Sequence, residues 1–419
     1  MYLGMPYCIR LREPQRLFPD AFRNRFSMSV SPIQSASALC GRSSLYARAC
    51  GARCSDLTLS LYAMSSANQP VNESQPQQAF INKLTGGNDF QQKHVTNLHG
   101  KTFIVTGGTR GIGFEVSKTL ALAGARVVMV SRSQSSADEA FSGIEEAAKQ
   151  AEVGTKLDLH FESCDFGSLH NVQEVADRIA KQEKRIDVLI NDAGVGVTDF
   201  GLDKDGIERC FGVNALGHFL FTNRVLPTLR RSAAEHGITP RVVNLTSNLH
   251  KLAPGDTKFA SLEELNNPNL RSDQYYDRSK LAIILLTKQL AERLRRSPTL
   301  VRAVSVHPGA VATEIQDQIK SAFGEWLGAA IITLQKPMMR DSDEGSLGTL
   351  WAAVSEDLDK QDIQGAYITD PGKVGGETKQ ADDASLAQNV WMLCESLVRD
   401  NVGDGALLPW DKVAGNGSA

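Results

Sequence analysis

A short apolar strand followed at once by three glycines constrains the fold of this chain more than any other feature. Residues 103–105 (Phe-Ile-Val) have the apolar, β-branched character that a buried parallel strand requires. Apolar residues at helical spacing come next, and a second strand is predicted over residues 126–131. The glycines between the first strand and the helix are Gly107, Gly111 and Gly113.

This glycine-rich turn has the geometry that a bound pyrophosphate needs. Glycine permits a sharp turn and lets the main chain approach a phosphate without a Cβ in the way. The helix that opens near Ile112 directs free N–H groups and the positive end of its dipole toward the same place. The segment therefore predicts a dinucleotide site; the alternative is a glycine loop that holds no ligand.

The end of the second predicted strand indicates which dinucleotide binds. Sites of this type that select NAD usually place an Asp or Glu there, where it accepts from the ribose 2′-hydroxyl. Here Ser131 and Arg132 stand at that point, and Arg110 lies inside the glycine turn. Guanidinium groups pair with a 2′-phosphate through charge-assisted hydrogen bonds. We therefore expect NADP(H) in preference to NAD(H); the alternative is that both arginines are ordinary surface residues.

Tyr276 and Lys280 are the strongest candidates for acid–base chemistry. They lie four residues apart on a predicted helix over residues 274–297, so both side chains share one face. A free phenol has a pKa of about 10, and a fixed cation beside it favours the phenolate and lowers that pKa. The pair can then act as a general acid/base. Alone, this spacing usually marks a solvated helix face, so the interpretation depends on the glycine turn upstream.

Strands and helices alternate from residue 100 onward. This alternation predicts a Rossmann-type doubly wound parallel sheet with helices on both faces, in a single main α/β domain. Ligands then bind beyond the carboxyl ends of the strands. The predicted strands cover residues 102–106, 126–131, 157–163, 186–190, 241–246, 301–306 and 366–369.

Six elements in order give the chain, over about residues 98–372, a resemblance to the short-chain dehydrogenase/reductase family. Asp165 resembles the family's aspartate that contacts adenine, and residues 191–194 (Asn-Asp-Ala-Gly) are similar to its N-N-A-G element. Asp192 replaces the second asparagine of that element, and we expect this to weaken the hydrogen bonding between strands there. The other elements are the glycine turn with Thr106 before it, the helix residue Asn214, the strand-end residue Ser247, and residues 307–313, which resemble the P-G element.

The resemblance, together with the chemistry of hydride transfer, implies a role for each catalytic residue. Reduction of a carbonyl leaves negative charge on oxygen, so the site needs a proton donor and a second hydrogen-bond donor. Tyr276 would donate the proton and Ser247 would polarise the carbonyl. Lys280 would also hold the nicotinamide ribose, and Asn214 would hold a water that links the lysine to solvent. Cofactor contacts are expected from Gly107, Arg110, Gly111, Ile112, Gly113, Arg132, Asp165, Asn191, Gly194, Tyr276, Lys280, Val311 and Thr313.

Two irregular regions are expected to recognise the substrate. One covers residues 249–274, and the other, over residues 314–339, carries apolar side chains spaced for one helix face. The second region predicts a lid over a lipophilic small molecule, with peripheral membrane contact; packing on the core or on another subunit is the alternative. Residues 213–223 (Val-Asn-Ala-Leu-Gly-His-Phe-Leu-Phe-Thr-Asn) and 307–315 (His-Pro-Gly-Ala-Val-Ala-Thr-Glu-Ile) most resemble the retinol-dehydrogenase-like branch of the family.

The bulk properties of the chain exclude several other classes of partner. A net charge of −3 without clustered basic residues in the predicted domain argues against nucleic acid. The longest apolar run there is too short to span a bilayer. Scattered histidines and cysteines at no ligand spacing predict no metal site. The helices over residues 205–231 and 274–297 could pair with copies of themselves in a homodimer.

The N-terminal region differs in composition from the rest of the chain. Residues 1–64 hold eight arginines, no lysine and three acidic residues, a bias that resembles a mitochondrial transit peptide. The alternative is that Met64 is the true start, which predicts a cytoplasmic protein. We expect residues 1–97 to be a poorly ordered extension, residues 98–380 the main domain, and residues 381–419 a terminal helix near 384–399 with a flexible tail.

The leading prediction is an NADP(H)-dependent enzyme that interconverts a carbonyl and an alcohol on a lipophilic small molecule. A cofactor-binding regulator with this fold is a first alternative, although such proteins typically lose the tyrosine or the lysine, and both stand here. A nucleotide-sugar epimerase is a second alternative, which the spacing of the glycine turn fits poorly.

Overall fold

Residues of high β propensity build one mostly parallel sheet in the computed structural model, which describes residues 89–154, 156–297, 300–309 and 341–410. The strands are β1 Thr102–Thr106, β2 Arg126–Ser131, β3 Asp158–Ser163, β4 Val188–Asn191, β5 Arg241–Leu245, β6 Arg302–Val306, β7 Tyr367–Asp370 and β8 Lys373–Val374. The sheet order is β3-β2-β1-β4-β5-β6-β7-β8. Each neighbouring pair from β3 to β7 is parallel, and β8 is antiparallel to β7.

Helices connect the parallel strands, as crossover connections require. A π-helical turn, Gly212–Leu216, joins the helix Arg209–Phe211 to the helix Gly217–His236 without a break. The α-helices are α1 Gly111–Leu122, α2 Gln134–Gln150, α3 Leu169–Gln182, α4 Arg209–Phe211, α5 Gly217–His236, α6 Leu262–Leu265, α7 Ser272–Arg295, α8 Ser342–Val354, α9 Asp357–Lys360 and α10 Ala384–Val402. Short 3₁₀ turns cover Gln92–His94, Asn248–Leu252 and Gln380–Asp382.

The sheet is buried on both faces by two separate apolar clusters. Successive side chains of a strand point to opposite faces, so Ile104 joins one cluster while Phe103 and Val105 join the other. Helices α3, α5, α7 and α10 pack in the first cluster, and α1, α2 and α8 pack in the second. Because all parallel strands end at the same edge, the loops that follow β1, β4 and β5 meet there.

The predicted α/β fold is confirmed, and every predicted strand is present with its ends shifted by two residues or fewer. Strand β8 was missed because its two residues are exposed and lie between Gly372 and Gly375, which gives no apolar pattern. The helix predicted over residues 205–231 contains the π turn, which a 3.6-residue period does not reveal.

The packed domain begins earlier than residue 98, where the sequence predicted its boundary. Val95 is buried, and Gln92 Nε2 donates to Ser346 Oγ on α8 at 3.1 Å. Residues 1–88 and the predicted lid over residues 314–339 lie outside the described residues. Among the described helices, none is long and apolar enough to cross a membrane.

Candidate active site

The glycine turn after β1 brings α1 unusually close to the strand ends. Gly107 and Gly111 have φ values of 69° and 55°, a region that disfavours residues with a Cβ. A Cβ on Gly113 would lie 2.4 Å from Gly107 O and 2.6 Å from Asp192 Oδ2. The first N–H groups of α1 therefore open onto the turn at the distance where a phosphate could accept from them.

A cleft of about 490 Å³ runs along this turn and across the carboxyl ends of the neighbouring strands. Arg110 is mostly exposed and stands 3.7 Å from the equally exposed Glu139, a weak pair in water. Strand β2 ends at Ser131, whose Oγ accepts from Thr109 Oγ1 at 3.1 Å. The predicted residues that line this cleft are Gly107, Arg110, Gly111, Arg132, Asp165 and Gly194.

Lys204 adds a cation at the same end of the cleft. Its Nζ lies 2.8 Å from Asp165 Oδ2. Although partial burial works in the opposite direction, hydrogen bonds from Lys204 and from Gly167 N–H hold the pKa of Asp165 below its ordinary value. Asp165 is therefore ionised, and Lys204 offsets its negative charge beside Arg132.

A second pocket, of about 210 Å³, contains the predicted acid–base pair. Both Tyr276 and Lys280 line it, and they are only 2% and 6% exposed. Lys280 Nζ lies 5.3 Å from the centre of the Tyr276 ring and donates to Leu245 O at 3.2 Å. The pocket shares Asp192, Gly194 and Val195 with the cleft, so the two form one continuous site.

Ser247 adjoins this pocket at the carboxyl end of β5. It directly follows Thr246, which lines the pocket, and its side chain is buried. Ser247 Oγ accepts from Leu249 N at 3.2 Å, so the hydroxyl proton can be donated elsewhere. A buried hydroxyl in this orientation suits a second hydrogen-bond donor to a substrate oxygen.

Asn214 lies in the π turn and joins two parts of the site. Its Oδ1 accepts from Val195 N at 2.8 Å, and its Nδ2 donates to Val195 O at 3.0 Å. The same Nδ2 donates to Ser279 Oγ at 3.0 Å, and Ser279 Oγ donates to Tyr276 O at 2.7 Å. Asn214 thus ties the loop after β4 to the helix that carries the tyrosine.

Asp192 and Ala193 connect β4 to β1 through their main chain. Both N–H groups donate to Thr106 Oγ1, at 2.9 and 3.0 Å. This link does not use the side chain of residue 192, so the replacement of asparagine by aspartate leaves it in place. The expected weakening between the strands therefore does not arise at these two N–H groups.

The side chain of Asn191 points away from the cofactor cleft. Its Nδ2 donates to Thr222 Oγ1 at 3.0 Å and to Asn244 Oδ1 at 2.7 Å. The side chain of Asn191 therefore links β4 to β5 and to α5, and its predicted contact with cofactor stays a prediction for its main chain. Val311 and Thr313, also predicted to bind cofactor, lie outside the described residues.

Comparisons with known proteins agree with this geometry. The family model for short chain dehydrogenases matches residues 101–255. Retinol dehydrogenase 14 of Mus musculus is 34% identical over 307 residues, which cover 72% of this chain and 86% of that protein. The chain belongs to the short-chain dehydrogenase/reductase family. It is therefore an oxidoreductase, and enzymes of this family use nicotinamide cofactors.

Two further relatives support the placement in the family. The Neurospora crassa protein bli-4, whose name assigns it as a mitochondrial oxidoreductase, is 30% identical over 75% of this chain and 76% of its own length. A solved structure of an uncharacterized protein from Mycobacterium Paratuberculosis matches with a TM-score of 0.56 and 26% identity, over 74% of this chain and 98% of that one. The predicted family resemblance is confirmed, including the presence of retinol dehydrogenases among the relatives.

The residues of this short-chain dehydrogenase/reductase fit a nicotinamide dinucleotide. The cleft supplies left-handed glycines, a helix N-terminus and cations at one end, and it opens at the other end into the tyrosine pocket. The sequence did not reveal Lys204, whose partner Asp165 lies 39 positions away. It also did not reveal His218, which lies under the site and bonds to Thr106. Within the described ranges, no group of three or more His, Cys, Asp or Glu could hold a metal ion.

Proposed function

We propose that this enzyme interconverts a carbonyl and an alcohol on a lipophilic small molecule, with NADP(H) as cofactor and Tyr276 as general acid/base. The observation that carries the proposal is the shared pocket of Tyr276 and Lys280, which is continuous with the glycine-turn cleft. A catalytically silent regulator would not need this pair buried together beside a cofactor cleft.

The nicotinamide, when bound, supplies or accepts the hydride. In reduction, Tyr276 donates its phenolic proton to the carbonyl oxygen as negative charge develops there. The nearby Lys280 ammonium stabilises the phenolate that remains. Ser247 donates a hydrogen bond to the same oxygen, and Asn214 holds the tyrosine helix and the loop after β4 in register.

The cations at the adenine end of the cleft support a preference for NADP(H). Arg110 and Arg132 line the cleft next to Ser131, at the end of β2, where NAD-selective sites carry a carboxylate. Asp165 also lies there, but its charge is offset by Lys204 at 2.8 Å. A 2′-phosphate would therefore meet a net positive surface.

The surroundings of Tyr276 support a lipophilic substrate. The tyrosine packs in an apolar cluster whose other buried members are Cys210 and Tyr275, with partly buried side chains around them. Several relatives are named retinol dehydrogenases, and retinol is a lipophilic alcohol. The partly buried members are Val195, Val197, Leu249 and Leu270.

The test is oxidation of NADPH and of NADH with a panel of lipophilic aldehydes and ketones. Tyr276→Phe should lower kcat at least a hundredfold, because general acid catalysis of this type is worth about 10²–10⁴. Tyr275→Phe is the matched control, since it removes the same hydroxyl from the neighbouring buried ring. Unchanged turnover in Tyr276→Phe would refute the assigned role.

Cofactor preference is tested separately with Arg132→Asp. The new carboxylate would repel a 2′-phosphate and accept from a 2′-hydroxyl, so we expect the preference to move from NADPH toward NADH. Arg296→Asp controls for the change of charge, because Arg296 is exposed and pairs with Glu292 at 2.5 Å, outside the cleft. A wild-type enzyme that prefers NADH would contradict the cofactor assignment and leave the catalytic assignment standing.

The location of the enzyme is proposed on its composition and one relative. The arginine-rich residues 1–64 and the name of bli-4 support a mitochondrial location, and a form that begins at Met64 would lack the arginine-rich segment. Expression of both forms with a C-terminal fluorescent tag tests this, and identical distributions would contradict it.

A further inference from the structure

His218 lies directly beneath the proposed site, between the cofactor cleft and the tyrosine helix. Its imidazole is buried at the start of α5 and stacks against the Phe166 ring, with 4.4 Å between the ring centres. One ring nitrogen, Nε2, lies 2.8 Å from Thr106 Oγ1, and the other, Nδ1, lies 3.0 Å from Asn214 O. The side chain therefore bridges the end of β1 and the π turn.

The hydrogen-bond network assigns the tautomer of this histidine. Thr106 Oγ1 already accepts from Asp192 N and Ala193 N, so its own proton is the one available for His218. Nε2 must then accept, and Nδ1–H must donate to Asn214 O. Only a neutral imidazole can make both bonds.

The charge environment of His218 favours this neutral form. Burial, with the nearby positive charge of Lys280, lowers its pKa to about 4, although the hydrogen bond to Asn214 O works in the other direction. The imidazole is therefore neutral from about pH 5 upward.

Each end of the imidazole meets a different part of the enzyme. Through Thr106, Nε2 contacts the main chain that joins the glycine turn to residues 192–193 of the cleft. Through Asn214 O, Nδ1 contacts the residue that holds Tyr276 by way of Ser279. In a π turn a main-chain N–H donates to the carbonyl five residues earlier, as Gly217 N–H does to Gly212 O. His218 Nδ1 supplies a further donor in this turn, to Asn214 O.

We propose that His218 is a positioning residue with two separable functions: Nε2 fixes the cofactor-binding turn through Thr106, and Nδ1 fixes Asn214 and, through it, the tyrosine helix. The inference rests on the proposed function, because it assumes that a nicotinamide cofactor fills the cleft. Its consequence is that substitutions which keep one ring nitrogen and remove the other affect cofactor binding and turnover unequally.

Two substitutions keep one nitrogen position each. His218→Asn places an amide where Nδ1 lies, so it retains the bond to Asn214 O and loses the acceptor for Thr106. His218→Gln places its amide where Nε2 lies, so it retains the bond to Thr106 and loses the bond to Asn214 O. A cavity of about 30 Å³ beside His218 gives the glutamine side chain room. His236→Asn, at the exposed end of α5, is the matched control.

The measurements are the Kd for NADPH and NADH by fluorescence titration, and kcat with the best carbonyl substrate. His218→Asn should raise the NADPH Kd about tenfold with kcat changed less than threefold. His218→Gln should lower kcat about tenfold with the Kd changed less than threefold. The proposal would be overturned if each variant lost NADPH affinity and kcat to the same extent, or if neither variant lost either one.

Imidazole ¹⁵N spectra of the wild-type enzyme provide a test that does not depend on variants that fold. Neutral rings with the proton on Nδ1 are expected for His218 and also for the buried His250, whose Nδ1 lies 2.7 Å from Ser247 O. Contacts between ring protons distinguish the two, because His218 adjoins Phe166 and His250 adjoins Tyr367. A His218 ring that titrates near pH 6.5, or that carries its proton on Nε2, would overturn the assignment. A wild-type protein that binds neither dinucleotide would instead refute the proposed function, and the spectra would still test the tautomer.

Discussion

Replacement of Gly113 by alanine gives the sharpest test of the cofactor cleft, because two physical effects predict opposite results. Gly113 lies in the first turn of α1 and does not have a left-handed φ, so backbone strain is not at issue. Alanine in place of glycine within a helix ordinarily stabilises it by about 0.5–1 kcal/mol. Helix propensity alone therefore predicts a more stable enzyme.

The close approach of the glycine turn predicts the reverse. The new Cβ would lie 2.4 Å from Gly107 O and 2.6 Å from Asp192 Oδ2, whereas ordinary contacts of a Cβ lie at 3.4–4 Å. Helix α1 and the turn would have to separate by about 1 Å, and overpacking of this kind costs about 1–3 kcal/mol. After the gain in propensity is subtracted, we expect Gly113→Ala to destabilise the protein by up to about 2.5 kcal/mol.

Cofactor binding should suffer more than stability in Gly113→Ala. The N–H groups of the turn and of the first turn of α1 would shift by about 1 Å, a displacement that can cost a hundredfold in a positioned site. We expect the NADPH Kd to rise between tenfold and a hundredfold by fluorescence titration, with the urea midpoint measured in parallel. Gly143→Ala on α2 is the control, since its Cβ would meet the Phe114 ring at an ordinary 3.4 Å.

The reasoning fails if Gly113→Ala binds NADPH as tightly as the wild type and unfolds at the same or a higher urea concentration. A loss of stability without a loss of NADPH affinity would support the steric clash but contradict the role of the turn in holding the cofactor.

Two further predictions concern buried groups outside the cleft. Burial and the nearby Asp273 raise the pKa of Asp277 to about 7, so its stabilisation is full below about pH 4 and is lost as the pH rises through 7. In urea titrations, raising the pH from 5 to 8 should therefore destabilise the wild type by about 2–3 kcal/mol more than Asp277→Asn, and equal pH dependence would contradict the assignment. Trp391 on α10 is 1% exposed and packs edge-on against Phe219 at 4.9 Å, so Trp391→Ala should cost about 3–5 kcal/mol in the same assay. A cost below about 1 kcal/mol would show that α10 is not docked there.

Much of the fold could be predicted because its determinants are local in sequence. The apolar run before Gly107 and the glycine spacing define β1, the turn and α1 within about 20 residues. The four-residue spacing of Tyr276 and Lys280 likewise places both side chains on one helix face, and the structure brings them into one pocket. Local patterns of this kind depend on periodicity alone.

What could not be predicted depends on contacts between distant segments. The partner of His218 is Thr106, 112 positions away, and no local pattern distinguishes a histidine that accepts from a threonine from an ordinary core histidine. Asn191 is the last residue of β4, where a ligand-binding residue would lie, but its amide donates to Asn244 on β5. Side-chain direction at the end of a strand is set by neighbouring strands, which the sequence alone does not align.

The C-terminal segment, which comprises α10 and residues 403–410, covers a face through which a second copy of the enzyme could bind. A homodimer through α5 and α7 would need the apolar face of these helices to be open. That face instead packs against Trp391 and Trp410, whose rings lie 4.9 and 5.0 Å from Phe219. Asn223 on α5 holds the segment by a reciprocal pair of hydrogen bonds with the main chain of Leu408, at 2.8 and 2.9 Å. Because buried aromatic contacts of this size are costly to break, a second copy that used this face would have to displace the enzyme's own C-terminal segment.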